Sequence, residues 1–74
     1  MEEFGRVSLN LDNLIKNKGI SKNKLAQRAE VSYTQLTKFC KNEISRIDFN
    51  TIARLCYVLD CDISDLLKYE KPKL

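Results

Sequence analysis

Two short apolar stripes separated by almost no chain constrain this sequence more than any other feature. Leu25, Ala26 and Ala29 fall at helical spacing, and Leu36, Phe39 and Cys40 do the same a few residues later. Ser21 and Ser32 precede the two stretches, where a hydroxyl oxygen can accept from the free amides of a first helical turn. The spacing predicts helices over residues 22–29 and 33–41. Only Glu30, Val31 and Ser32 remain between them, so one of these residues must turn the chain sharply. Such a short-linked pair cannot lie as two parallel rods and is expected to cross as a helix-turn-helix unit.

The rest of the chain is built to enclose that pair. Leu11, Leu14, Ile15 and Lys18 repeat at i, i+3, i+4, i+7, and Gly19 is a natural stop, which predicts a first helix over residues 9–18. Asp48 is placed to cap a fourth helix over residues 49–59, with Phe49, Ile52, Ala53, Cys56 and Leu59 inward. Asp62 is placed to cap a short fifth helix over residues 63–67, carrying Ile63, Leu66 and Leu67. Beyond Lys68 the tail is polar and Pro72 ends any helix. Strand signals are nearly absent. With 74 residues, 43% of them hydrophobic and 31% charged, the chain suits one small folded domain of five helices. Its core is expected over residues 9–67, with residues 1–8 and 68–74 as flanks.

Several kinds of chemistry are disfavoured. The sequence has no His, the commonest general base and metal ligand, and its two Gly are too few for a phosphate-cradling loop. A chain this short does not build a deep substrate cleft of ordinary size, so an enzyme is not expected, nor is a cofactor, a metal or a small-molecule ligand. No apolar run approaches the roughly 18 residues of a membrane span, and the acidic start at Glu2 and Glu3 lacks the apolar region of a signal peptide. A cytoplasmic protein without a membrane partner is expected. The three cysteines, Cys40, Cys56 and Cys61, form no CxxC pair and are expected to be reduced thiols, Cys40 and Cys56 packing as small apolar groups.

Charge is unevenly spread. The net charge of +3 conceals a block over residues 16–46 with eight basic and two acidic side chains, followed by residues 47–65 with one Arg and four Asp. A basic block within a near-neutral chain suits a polyanion, although a run of Lys can equally be a solvated helix face. That plainer reading is preferred for Lys24 and Arg28.

The stretch from Ser21 to Phe39 resembles the helix-turn-helix of phage repressor and Cro-like proteins, the Xre family, through Leu25-Ala26, Val31-Ser32, Leu36 and Phe39. Each match has a physical reason. Ala26 is small where the second helix of the pair crosses the first, Val31 plugs the turn, Ser32 caps, and Leu36 and Phe39 anchor. Residues 47–56 and 59–67 resemble the fourth and fifth helices of small members, so the likeness covers residues 9–67. It implies an all-α, five-helix, lambda-repressor-like domain. Two positions depart from the family: Glu30 stands where Gly is common at the turn, and Asn42 where Gly often follows the third helix. Asn tolerates a left-handed backbone well, Glu at a cost of roughly 1 kcal/mol.

The resemblance implies a sequence-specific, repressor-like regulator that reads double-stranded DNA with its third helix in the major groove. Tyr33, Thr34 and Lys38 then fall at base-reading positions, flanked by Gln35 and Thr37. Lys38 suits guanine O6 and N7, and Thr34 or Tyr33 can meet a thymine methyl or donate a hydrogen bond. Tyr33 has a rival role as a partly exposed packing aromatic. Lys22, Ser32, Lys41, Ser45 and Arg46 are placed to grip phosphates. A weak homodimer is expected through apolar residues of the C-terminal half, Tyr57, Val58, Leu67 and Tyr69, away from the basic face. The alternative is a protein-interaction module of the same fold, an antitoxin or anti-repressor, which would lack a steep salt dependence on random duplex DNA.

Overall fold

In the computed structural model, which describes residues 2–73, all five expected helices are found. They are α1 (Leu11–Lys18), α2 (Lys22–Ala29), α3 (Tyr33–Cys40), α4 (Phe49–Leu59) and α5 (Ile63–Leu66). The bounds of α2 and α4 are those read from the sequence. α1 starts two residues later, and α3 and α5 each stop one residue earlier.

The expectation that strands are nearly absent fails at both flanks. Arg6–Leu9 forms β1 and Leu67–Glu70 forms β2, joined antiparallel in the register Arg6↔Glu70, Val7↔Tyr69, Ser8↔Lys68 and Leu9↔Leu67. A 3-10 turn over Glu2–Phe4 precedes β1. The Leu9 N–H donates to Asn42 Oδ1 at 2.6 Å, and Asn42 Nδ2 donates to the Leu9 carbonyl at 3.0 Å. The side-chain amide thus serves as a single rung of a third strand. Leu9 is thereby held in extended backbone, and α1 begins only at Leu11. Two strands of four residues are too short to show a clear alternation, and a lone two-stranded ribbon is marginal without such support.

The core gathers one stripe from each helix: Leu11, Leu14 and Ile15 from α1, Leu25, Ala26 and Ala29 from α2, Leu36 and Phe39 from α3, with Leu9 and Leu66 closing it from the flanks. On α4 the buried face is Thr51, Ile52, Leu55 and Leu59. Phe49, 87% exposed, and Ala53 lie outside it, contrary to the sequence expectation, and Ile63 of α5 is also exposed. Two overlapping stripes on α4 satisfy a helical period, and the larger Leu55 wins the interior over Cys56, which is left half-buried. Val58 and Leu67 pack against the core and are not free surface.

Arg54 fastens α4 to the helix pair. Its Nε donates to the Ala29 carbonyl at 2.7 Å, satisfying an orphan acceptor at the end of α2, and Nη2 donates to Thr51 Oγ1 at 3.2 Å. The Thr51 hydroxyl donates to the Asp48 carboxylate. Asp48 therefore starts α4 through Thr51 and not by accepting a backbone amide. The α5 N-terminus is closed by the Asp65 carboxylate, which accepts from the Asp62 N–H at 3.1 Å.

Candidate nucleic-acid interface

The turn between α2 and α3 sets the site. Glu30 adopts the left-handed conformation, φ 57° and ψ 45°, despite its Cβ. This folds the chain back so that the Val31 N–H donates to the Ala26 carbonyl at 2.9 Å, while the Val31 side chain packs on the core. Ser32 then caps α3, its Oγ accepting from the Gln35 N–H at 3.1 Å. Ser21 does the same for α2, accepting from the Lys24 N–H at 3.1 Å. Each serine keeps its own hydroxyl proton to donate outward. With Leu36 fully buried and Phe39 1% exposed, the rotation of α3 is fixed and its opposite face is presented to solvent.

That face carries Tyr33, Thr34, Gln35, Lys38 and Lys41, all exposed. Thr37 is half-buried, and its hydroxyl donates to the Tyr33 carbonyl at 3.0 Å, leaving only acceptor capacity for a base. Tyr33 is 51% exposed, so it is neither free nor part of the core. Ser32, Thr34, Gln35 and Lys38 share one open groove with Glu43, Ile44, Ser45 and Arg46 of the segment between α3 and α4. Six of the residues singled out from sequence therefore line a single surface. Tyr33, Thr37 and Lys41 flank it on α3. Lys22 is half-buried at the start of α2 and lies near Cys40, whose thiol is pushed up chiefly by burial and pulled back by the Lys22 ammonium.

Sequence reasoning missed three residues that shape this surface. Glu43 brings a carboxylate into an otherwise cationic groove. Asn42, read only as a left-handed residue (φ 58°), also ties the end of α3 to β1. Arg54 fixes the end of α2, and the signal was its isolation as the only basic side chain among the aspartates of residues 47–65.

The model of the Cro/C1-type helix-turn-helix DNA-binding domain matches residues 10–72. The chain belongs to the Cro/C1-type helix-turn-helix family. The matched span of this Cro/C1-type domain begins just after β1 and takes in β2. Among solved structures, a protein from Bacteroides fragilis assigned to DNA binding is similar in fold with TM-score 0.77 and 16% identity, covering 85% of this chain and 100% of that one. The transcriptional regulator VanUg aligns with TM-score 0.73 and 25% identity over 92% of this chain and 89% of its own. SinR, the master regulator for biofilm formation, solved in complex with DNA, aligns with TM-score 0.67 and 24% identity over 72% of this chain and 84% of its own. No curated protein sequence matches the chain. No described helix of the Cro/C1-type domain is long and apolar enough to cross a membrane.

Proposed function

We propose that this Cro/C1-type domain is a sequence-specific, repressor-like regulator of transcription that docks α3 in the major groove of duplex DNA. The observation that carries the reading is the shared groove in which the start of α3 meets Ser45 and Arg46. Residues near the start of a recognition helix reach base edges, while flanking donors fix register on the phosphates. Tyr33, Thr34, Gln35, Thr37 and Lys38 read bases. Thr37 does so as an acceptor or through its methyl, because its proton is held by the Tyr33 carbonyl. Lys22, Ser32, Lys41, Ser45 and Arg46 hold phosphates, with the free amides at the starts of α2 and α3 adding donors. Glu43 disfavours a phosphate at its end of the groove and thereby restricts register.

Selection of binding sites from random duplex DNA with the purified chain, followed by footprinting, tests this. Enrichment of one sequence and a steep fall in affinity with salt are expected. Equal recovery of all sequences with a shallow salt slope would overturn it. The same chain is proposed to act as a weak homodimer, and the surface for this is argued at the scale of the whole molecule below.

A further inference from the structure

The three cysteines are all free thiols, but their settings differ. Cys40 lies at the end of α3 with Lys22 as its charged neighbour. Cys56 and Cys61 are brought together by the way α4 ends. Asp60 takes a left-handed conformation, φ 50° and ψ 56°, and turns the chain back so that the Cys61 N–H donates to the Cys56 carbonyl at 3.1 Å. In a helix end closed by this bond, the residue beyond the turn packs onto the one it folds over. The Cys61 thiol accordingly has the Cys56 thiol as its hydrogen-bond neighbour. Both residues are half-buried at the rim of the core, so the pair is held from below and reachable from solvent.

The surroundings decide what this pair can do. Burial pushes the Cys61 thiol up to about 11, with Cys56 and Asp65 acting in the same direction and Lys18 against them. A thiol so far above neutrality is a poor thiolate nucleophile, which disfavours rapid thiol–disulfide exchange. Among the described residues no cluster of three or more His, Cys, Asp or Glu could surround a metal ion, so a four-coordinate zinc site is not built here. What remains is a pair of soft donors held side by side, suited to a ligand that needs two sulfurs and no more.

We infer that Cys56 and Cys61 form a dithiol site at the α4–α5 turn that captures trivalent arsenicals. With an arsenoxide the step is a condensation. Two As–S bonds form, and the arsenic-bound oxygen leaves as water with the two thiol protons. Arsenic and sulfur keep their oxidation states, so no oxidant or reductant is required. Both sulfurs already adjoin, so closing the ring orders little additional chain, and a competing monothiol lacks that advantage.

Phenylarsine oxide, added at one equivalent to the folded chain in excess β-mercaptoethanol, tests the assignment by intact-mass measurement and tryptic mapping. One phenylarsenic group per chain is expected, on the peptide spanning residues 55–68, which holds both Cys56 and Cys61. The melting temperature of the loaded chain should rise by a few degrees, because the ligand binds the folded pair in preference to the unfolded one. C56S and C61S should each retain at least tenfold less arsenical, whereas C40S should retain as much as the parent. Label on the Cys40 peptide, equal retention by C56S or C61S, or no retention by the parent would each overturn the site. The peptide map on the parent chain decides the matter even where a serine variant folds poorly.

Discussion

Lys38 is exposed and lines the groove between α3 and the segment that follows it, where an ammonium can reach a guanine edge. Lys38→Ala is expected to weaken binding to the selected site by ~1–3 kcal/mol and to relax preference at one or two base positions. A loss that is uniform over all sequences, measured by titrating a set of single-base variants, would make Lys38 a phosphate contact. Glu30 bears on stability in the opposite direction. Its left-handed backbone (φ 57°) costs a residue with a Cβ about 1 kcal/mol, so Glu30→Gly should raise the melting temperature. A clear drop would show that the side chain offsets the strain through contacts of its own. Asn42 separates backbone from side-chain effects. Asn42→Gly suits φ 58° yet deletes both bonds to Leu9, and a net loss of roughly 1–2 kcal/mol in urea unfolding is expected. Much at this scale was legible in the sequence, because capping serines, the turn residue and the α3 anchors act over four residues or fewer. The Asn42 and Arg54 contacts were not, since each joins segments distant along the chain, and only the closed fold brings Asn42 to Leu9 or Arg54 to Ala29.

Among the elements, α4 shows how a helix start can depend on pH. The Thr51 hydroxyl donates to the Asp48 carboxylate, and this bond, more than the nearby Arg54, holds the Asp48 carboxyl below its ordinary range. A carboxyl depressed in the folded state lends stability above its unfolded value, about 3.9, and loses it as pH falls through the folded value. Thr51→Val keeps the buried shape and removes the hydroxyl. The parent chain should therefore be more stable than Thr51→Val at pH 7, with the gap narrowing below about pH 4 in urea melts. A gap that stays constant down to pH 3 would detach Asp48 from the effect. The helices themselves were read with little error because each carries its own stripe and stop. The β1–β2 ribbon was hidden, since four residues alternate too briefly, Leu9 also fits the α1 stripe, and the partner strands lie at opposite ends of the chain. α4 was read in rotation by part of a turn, because Phe49-Ala53-Cys56 and Ile52-Leu55-Leu59 both satisfy its period, and only packing chooses between them.

At the scale of the molecule, the question is what lies beside the DNA-facing groove. The chain measures 40 × 21 × 20 Å, enough for one half-site and little more. Regulators of this kind commonly gain affinity by pairing on two half-sites about 34 Å apart. Of the four residues expected to mediate pairing, Val58 and Leu67 are taken up by the core, leaving Tyr57 and Tyr69 exposed. Tyr69 does not stand alone. It faces Val7 across the ribbon, its hydroxyl donates to the Phe4 carbonyl at 2.7 Å, and Phe4, Val7 and Tyr69 are 70%, 65% and 60% exposed. A two-stranded ribbon with an apolar face and open edges is a surface that folded chains ordinarily cover. Tyr57, by contrast, sits among Arg28, Val58 and Asp60, where charge surrounds it. The homodimer is therefore expected through the β1–β2 ribbon and not through α4. Val7→Thr retains a strand-forming, branched side chain while removing apolar surface, and should shift the chain toward monomer in sedimentation equilibrium at tens of micromolar. Tyr57→Ser should leave the association unchanged. A parent chain that stays monomeric with and without its selected DNA, and that leaves a footprint without a repeat, would defeat the dimer while leaving recognition by α3 intact.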